Sequence, residues 1–530
     1  MTAAPVANAS ASVRPATVPA AARGLSPFSD GMSASIVLGQ SIFTTDAPAV
    51  TPTNFSDPQS VAVDAAGDVW VSDFNVPRVL EFRAPVYTGE PASIVLGQPN
   101  FYASGSTLSA SGMGEPIGLA VSPSGDLWVA DWDFCRVTEF VPPFTDGMAA
   151  KVVIGQPTFT SSSCGRSATS IAEPNGLAVD PSGDLFVAEQ SNNRVTEFRP
   201  PFSDGMSASA VLGQSTFTGD AAGTSAVNLS CPLGVAASTS MVWVGDSPCG
   251  NSRIMGFPQP VSTNESATAI LGQASFTSSG ATGDNVTLNP NALAVDAYGD
   301  LYAVDLDLHR VAEFTPPFTP FKTPTVVLGQ STLSGSAGGV TATNLSAPRG
   351  VAVAPNGTLW VVDESGVRVL GYVPSTFSVV FRETGLPGAS PWSVSVDGTD
   401  HFGGSGSIEV PLINGSHAWS VGPAPPGYHL TSSASGAVTV NGTSDVVPLS
   451  FAQNSSGSPS LLEGLAIGIV VGGVVGALAG ILLGRRRKPA PTPAAAWSAP
   501  GGAGTSSSTG GSAAPPPAPA GGGPPPGASG

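Results

Sequence analysis

Residues 174–214 read PNGLAVDPSGDLFVAEQSNNRVTEFRPPFSDGMSASAVLGQ. This stretch contains four apolar runs, GLAVD, DLFVAE, RVTEF and SASAVLGQ, separated by turns rich in Gly, Asp, Asn and Pro. Runs of this kind predict a four-stranded antiparallel meander. The second run is apolar almost throughout, as expected for a strand that is covered on both faces.

The closing tetrapeptide, VLGQ or a close variant, occurs six times, and its glutamine recurs at steps of 58, 58, 58, 59 and 57 residues. A fixed period indicates a repeat architecture. Six four-stranded units predict a six-bladed β-propeller, in which radial repetition leaves only short sheet edges. We expect each glycine of LGQ to permit a turn or a close approach, and each glutamine amide to bond neighbouring backbone. The glutamines are Gln40, Gln98, Gln156, Gln214, Gln273 and Gln330.

The order of the units predicts how the ring closes. The first VLGQ precedes the first inner-strand run, SVAVD at 60–64. The last third-strand run, RVLGY at 368–372, has no LGQ behind it. We therefore expect the strand at 34–40 to supply the outer strand of the last blade.

The repeat unit PNGLAVDPSGDLFVAEQSNNRVTEF resembles an NHL repeat, whose propellers are six-bladed. The continuation PFSDGMSASAVLGQ is similar to a group of large prokaryotic secreted NHL-like proteins, and the resemblance covers roughly residues 25–375. It implies a propeller for that segment. Because such propellers include lyases, sensors and binding proteins, the resemblance does not imply one function.

The period stops near Phe377, and residues 376–453 alternate strand-like runs with Pro/Gly turns. The pattern ETGLPGASPWSV resembles a small β-sandwich module of archaeal surface proteins. Residues 454–460 are expected to be a linker. The segments 1–24 and 485–530 cannot bury a core and are predicted to be disordered.

A single membrane helix is predicted at 461–484. Its stretch GLAIGIVVGGVVGALAGILLG is uncharged and long enough to cross a bilayer. RRRK follows directly, which places the tail in the cytoplasm and the long N-terminal part outside the cell. Residues 1–24 lack the apolar centre of a signal peptide. Either the true start lies upstream, which we favour, or the span itself is the export signal.

Glycines in the predicted span recur at four-residue steps, which favours a right-handed helix pair and a homodimer. The alternative is that glycine is common in membrane helices generally. The glycines are Gly464, Gly468, Gly472, Gly476, Gly480 and Gly484.

An acidic residue and an arginine recur in every unit, at the end of the second strand and the start of the third. A bidentate carboxylate–guanidinium contact would clamp that turn. The alternative is a ring of ligand-binding arginines, but six equal copies favour architecture. The pairs are Asp73 with Arg78, Asp131 with Arg136, Glu189 with Arg194, Asp246 with Arg253, Asp305 with Arg310, and Asp363 with Arg368.

Function is expected where the symmetry breaks. The propeller has one histidine, His309, expected to be a surface residue at a turn, whereas a zinc lyase needs several inward histidines. No metal or cofactor is predicted. Six residues just before the inner strands could face the channel, and they include no acid: Gln59, Ile117, Asn175, Leu233, Asn291 and Arg349. Of these, Asn175, Asn291 and Arg349 are predicted to bind a small polar ligand.

Four cysteines occur without a CxxC spacing, which argues against a zinc knuckle. Their loops are expected to share a face, so we predict the disulfides Cys231–Cys249 and Cys135–Cys164. Free buried cysteines are the alternative.

Asparagine is concentrated in N-x-S/T sequons, which predict glycosylation. Besides Asn8, the sequons stand at Asn54, Asn228, Asn264, Asn285, Asn344, Asn356, Asn414, Asn441 and Asn454.

The net charge of −18, without a basic face, argues against nucleic-acid binding. We predict a membrane-anchored cell-surface module that binds an extracellular protein or glycan without catalysis. The alternatives are an extracellular hydrolase or lyase that uses the propeller channel, and a structural component of the envelope.

Overall fold

The computed structural model describes residues 26–280, 288–388, 390–404 and 406–454. The strands of these residues form eight four-stranded sheets. Within the same ranges no helix is long and apolar enough to cross a membrane. The predicted span at 461–484 with its glycines, and the segments 1–24 and 485–530, lie outside the described residues.

Six of the sheets are the blades of a β-propeller, because their inner strands contact one another in a closed ring. The prediction of a propeller is therefore confirmed. The inner strands are β2 (Pro58–Val63), β6 (Pro116–Val121), β10 (Pro174–Val179), β14 (Pro232–Ala237), β18 (Pro290–Val295) and β22 (Pro348–Val353).

The next two strands of each blade are almost wholly buried, as the apolar runs predict. The second strands are β3 (Val69–Asp73), β7 (Leu127–Asp131), β11 (Leu185–Glu189), β15 (Met241–Asp246), β19 (Leu301–Asp305) and β23 (Leu359–Asp363). The third strands are β4 (Arg78–Phe82), β8 (Arg136–Phe140), β12 (Arg194–Phe198), β16 (Arg253–Pro258), β20 (Arg310–Phe314) and β24 (Arg368–Tyr372).

The outer strands have three residues each, shorter than the predicted run, because the LGQ glycine turns the chain out of the sheet at a positive φ, +87° at Gly213. They are β1 (Ile36–Leu38), β5 (Ile94–Leu96), β9 (Val152–Ile154), β13 (Ala210–Leu212), β17 (Ala269–Leu271) and β21 (Val326–Leu328).

The ring closes with the N-terminal strand, as predicted. β1 pairs antiparallel with β24, and Leu38 lies opposite Val369. The residues before β1 also hold the preceding blade, since Asp30 Oδ1 accepts from the N–H of Val327 at 2.9 Å. The N-terminal segment thus joins the last two blades.

The turn before an outer strand caps the outer edge of the preceding blade. In the second blade, Asp146 Oδ1 accepts from the N–H of Val95 at 3.0 Å, and the N–H of Gly147 donates to the Val95 carbonyl at 2.9 Å. Asp204 accepts from the N–H of Val153 in the same way. These contacts satisfy backbone groups that an edge strand otherwise offers to another chain.

The repeated glutamine links the loop between two blades to the turn between the second and third strands of its own blade. Gln98 Nε2 donates to the carbonyls of Pro77 at 2.8 Å and of Gly105 at 2.9 Å, and all six glutamines make this pair of contacts. A Cβ on Gly97, whose φ is +83°, would lie 2.7 Å from the Pro77 oxygen. The roles predicted for both residues are confirmed.

The last two sheets form a β-sandwich around a core that includes Phe381, Trp392 and Phe451. The sheet orders are β28-β25-β32-β30 and β27-β26-β29-β31, and β25 and β32 pair in parallel. The strands are β25 (Thr376–Thr384), β26 (Trp392–Val396), β27 (Thr399–Gly403), β28 (Ser407–Ile413), β29 (Gly415–Val421), β30 (Tyr428–Leu430), β31 (Ser435–Val440) and β32 (Asp445–Gln453).

A buried histidine supports the turn through which the sandwich contacts the propeller. Asn414 in this turn donates from Nδ2 to the Ser26 carbonyl at 2.9 Å. His417 Nδ1 lies 2.6 Å from Asp397 Oδ2, and its Nε2 lies 2.8 Å from the Ile413 carbonyl. Both partners accept hydrogen bonds, so only the imidazolium, with two N–H donors, satisfies both contacts.

We expect the stability of the sandwich to fall as pH rises. Burial alone would lower the pKa of His417, but the hydrogen bonds to Asp397 and Ile413 and the charge of Asp397 raise it above the usual value. A raised folded-state pKa contributes stability that is present below the unfolded pKa and is lost as pH rises through the folded one. Urea unfolding of the full chain from about pH 5 to about pH 8 measures the loss.

The matched control is the same substitution at a histidine outside this contact. His417→Gln should flatten the pH dependence of the sandwich transition, whereas His401→Gln should leave it unchanged. An equal slope in His417→Gln and in the wild type would contradict the imidazolium contact.

Candidate functional site

Each acid–arginine pair lies on the upper face of the propeller, defined here as the face where second strands end and third strands begin. In the second blade, Arg136 Nε donates to Asp131 Oδ2 at 3.0 Å, and both side chains have no exposed surface. The guanidinium also donates to the carbonyls of Ser109 at 3.1 Å, Gly112 at 2.8 Å and Phe159 at 2.8 Å. One arginine therefore holds the loop entering its blade and the loop leaving it.

Five of the six pairs differ from the predicted bidentate contact. Only Glu189 accepts on both oxygens, from Arg194 Nε and Nη2, at 2.9 Å each. In the aspartate pairs one oxygen faces the arginine, and Oδ1 accepts from backbone N–H groups ahead of the inner strand, as Asp131 does from Gly114 and Glu115. The shorter aspartate divides its oxygens between the guanidinium and the loop.

Burial raises the pKa of every acid in these pairs, against the opposing charge of the arginine. For Asp363 the pKa rises to about 6. All six pairs share this environment and none faces a cavity wall, so they act as architecture rather than as a ligand site.

A β-bulge in every inner strand produces the positions that vary. In β10, Pro174 lies opposite Glu189 and Leu177 opposite Val187, so Asn175 and Gly176 have no cross-strand partner. All six inner strands carry this irregularity. The predicted channel residues therefore lie at the second position of the inner strands, not before them, because the proline already belongs to the strand.

These positions line a cavity of about 340 Å³ on the upper face, which we call the upper cavity. Its wall includes Asn175, Asn291 and Arg349, so the predicted ligand residues come together. Phe74 and Trp132 add aromatic surface, and the fourth residues of the inner strands form an apolar floor: Val61, Leu119, Leu177, Val235, Leu293 and Val351.

Several polar groups of the upper cavity have unused hydrogen-bonding capacity. Among the described residues, the side-chain amides of Asn175, Gln190 and Asn291 have no hydrogen-bond partner. Arg349 donates from Nε to Glu364 Oε2 at 2.8 Å, which is the one ion pair that Arg349 forms among the described residues. A hydroxyl-rich ligand could donate to and accept from the free amides.

Two carboxylates in the wall are not among the six channel residues that the sequence predicts. Asp57 and Glu364 flank the repeat signature, one before the inner-strand proline and one after the clamping acid. The pKa of Asp57 is raised by burial and by Glu364, against the hydrogen bond from Gln59 and the charge of Arg349. Aligning the residues beside the signature would have revealed both.

His309 has a structural contact instead of the surface position that was expected. It is half-buried, and its Nδ1 accepts from the N–H of Ala347 at 3.0 Å. Asn193 occupies the equivalent turn and accepts from the N–H of Cys231 at 2.7 Å. Within the described part of the chain no group of three His, Cys, Asp or Glu side chains is arranged to hold a metal.

The cysteines lie in pairs. Cys135 is bonded to Cys164 and Cys231 to Cys249, the pairings that loop placement predicts. The first bond joins a turn of the second blade to the loop that enters the third. It therefore connects the same elements that Asn193 and His309 connect by hydrogen bonds in other blades.

The predicted glycosylation sites differ in access. The amide nitrogens of Asn54 and Asn414, to which a glycan would attach, donate to backbone carbonyls. Asn285 lies outside the described residues, and Asn228 and Asn344 are half-buried. The exposed sites are Asn264, Asn356, Asn441 and Asn454.

Comparison with known proteins agrees with the repeat assignment. Residues 172–198 match the NHL repeat. A search of curated proteins finds no match. Similar solved structures include a streptogramin B lyase (12% identity, 62% of this chain and 95% of that one, TM-score 0.34). Others are a virginiamycin B lyase from Staphylococcus aureus (13%, 61% and 97%, 0.34) and a gluconolactonase from Xanthomonas campestris (14%, 64% and 98%, 0.38). None of these similarities assigns an activity to this chain.

We expect Arg136→Met to lower the free energy of unfolding by about 3–5 kcal/mol, because it leaves the buried Asp131 without a counter-charge. Urea unfolding measures the change. Arg199→Met is the matched control, because the Arg199 side chain is 47% exposed and surface ion pairs contribute about 0–1 kcal/mol.

Adding Asp131→Asn to Arg136→Met should restore part of the loss, because asparagine still accepts from the loop N–H groups without a buried charge. Equal losses in Arg136→Met and Arg199→Met would contradict the role of the pair.

Proposed function

We propose that this chain is a cell-surface binding protein whose upper cavity takes the end of a glycan. The observation that carries the proposal is the set of unpaired amides, Asn175, Gln190 and Asn291, converging on one cavity. Amides offer both donors and acceptors, which suits the hydroxyl groups of a sugar. The cavity volume, about 340 Å³, is within the range of small-molecule sites.

The remaining wall supports the same ligand class. Trp132 and Phe74 provide apolar surface for the faces of a sugar ring, and amphipathic aromatic surfaces are frequent in recognition sites. Asp57 and Glu364 outnumber Arg349, so the cavity favours a neutral ligand over an anionic one.

The cellular setting is proposed from the sequence alone. We propose that residues 461–484 anchor the protein in the membrane. We also propose that the glycines at four-residue steps in this segment form the contact between the membrane helices of two copies, which would raise avidity for a repetitive surface. A membrane self-association assay on residues 461–488 tests the pairing. Gly472→Ile and Gly476→Ile should weaken association, and undiminished association in both variants would indicate a monomeric anchor.

One observation favours the enzymatic alternative, a hydrolase or lyase that uses the same cavity. Asp57 has a raised pKa and lies in one wall with Glu364 and Arg349. A carboxyl group with a raised pKa is suited to general acid catalysis. Turnover of a bound glycan that disappears in Asp57→Asn would establish this alternative in place of simple binding.

Glycan-array screening of the purified full chain, followed by calorimetry on the best neutral oligosaccharide, tests the proposal. Asn175→Ala combined with Asn291→Ala should weaken binding by about a hundredfold, because it removes two hydrogen-bonding partners at about 1–1.5 kcal/mol each. Methylation of the ligand's hydroxyl groups, which removes their O–H donors, should have a similar effect.

Asn441→Ala is the control, because it removes an exposed asparagine that does not line the upper cavity. Binding that persists in the double variant, or that weakens equally in Asn441→Ala, would place the glycan elsewhere. No neutral glycan bound at millimolar concentration would refute the proposed ligand class.

A further inference from the structure

The lower end of the propeller holds a second cavity, of about 660 Å³, which we call the lower cavity. Its propeller wall is a ring of half-buried aliphatic side chains, the last residues of the inner strands: Val63, Val121, Val179, Ala237, Val295 and Val353. The opposite wall comes from the sandwich and includes Leu412, Ile413 and His417. No residue lines both the lower and the upper cavity.

The apolar ring indicates what part of a ligand it would cover. The six aliphatic side chains surround one cavity and are half-buried. They form a concave apolar wall, which is typical of small-molecule sites. The volume, about 660 Å³, is also in the range of such sites. The sandwich covers this end of the channel, so the space admits a small molecule rather than a protein.

The charged groups of the wall indicate the sign of the ligand. Asp64, Asp180, Asp296 and Asp397 line the cavity, and its wall contains no lysine or arginine. Asp180 is only 3% exposed, so one of these charges is held in a poorly solvated position. His417 is the basic group of the wall; as an imidazolium it offsets the charge of Asp397, and the wall still holds more acids than bases.

An aromatic side chain completes the site. Tyr298 lines the cavity with 37% of its surface exposed, and its ring meets the His417 ring edge to face at 6.4 Å between centroids. An ammonium group over a tyrosine face gains electrostatic attraction from the ring. We propose that the lower cavity binds a small apolar molecule that carries one ammonium group, with its body against the aliphatic ring and its charge among the aspartates.

Three probes with one body and different head groups test this proposal on the purified full chain: 4-phenylbutylammonium, 4-phenylbutanol and 4-phenylbutanoate. Calorimetry at about pH 7 should show saturable binding of the ammonium compound to one site. The alcohol should bind about tenfold more weakly, the effect of losing one partly buried ion pair, and the carboxylate more weakly still.

Asp64→Asn combined with Asp296→Asn keeps the turns, because each Oδ1 accepts two backbone N–H groups and an amide oxygen can do the same. This variant should weaken the ammonium compound about tenfold and leave the alcohol unchanged. The matched control, Asp46→Asn with Asp400→Asn, removes two exposed acids outside the wall and should change neither affinity.

Val179→Phe, or Val121→Phe if the first variant unfolds, narrows the cavity and should weaken binding of the ammonium compound and of the alcohol alike. The proposal is overturned if the ammonium compound does not saturate, or if the carboxylate binds as tightly as the ammonium compound. Undiminished binding in the narrowed variant, or an equal loss in the control variant, would also overturn it.

Discussion

The rest of the propeller depends on one buried contact, the carboxylate–guanidinium pair at the upper end of each blade. Burying two charges does not by itself stabilise a protein, because desolvation offsets their attraction. The pair stabilises the blade because its remaining donors and acceptors form hydrogen bonds with loop N–H and carbonyl groups that have no partner in a strand. Arg136 holds carbonyls of both connecting loops, and Asp131 holds the N–H groups before the inner strand. A loop-rich upper face can therefore be buried with its polar backbone satisfied.

Much of the fold can be predicted from the sequence because its contacts lie within the repeat unit or between adjacent units. The LGQ glycine and glutamine act on a turn about 20 residues earlier, so every copy repeats the same letters. Other features of the structure leave no periodic pattern in the sequence and could not be predicted from it. The bulge at Asn175 follows from how six strands meet at one axis, and the contact of Asn414 with Ser26 joins residues far apart in the chain. Asp57 and Glu364 were missed because each stands beside the repeated signature and was not aligned with it: the position of Asp57 is acidic in three repeats, whereas that of Glu364 is acidic in one.

The bulge also explains why the ligand residues can vary while the blades stay alike. A residue in a regular strand must fit its cross-strand neighbour. The second residue of each inner strand has no such neighbour, so its side chain is free of that constraint. The positions therefore hold amide, aliphatic and cationic side chains in different blades, from Gln59 to Arg349, without a change in the sheet. Selection for a ligand can act there without loss of the fold.

The third residue of the inner strands has the opposite constraint in four of the six blades, where it is glycine; in the other two it is Ser60 or Ala292. A Cβ at Gly176 would lie 2.3 Å from the carbonyl oxygen of Leu233, and one at Gly118 would lie 1.9 Å from that of Asn175. Neighbouring inner strands thus approach so closely that only glycine fits at these points. Above them the wall is polar, because the strands begin among the turns of the clamped face, and below them it is aliphatic, because the strands end in valine and alanine. One ring of strands therefore lines two cavities of different chemistry, and no described residue lines both.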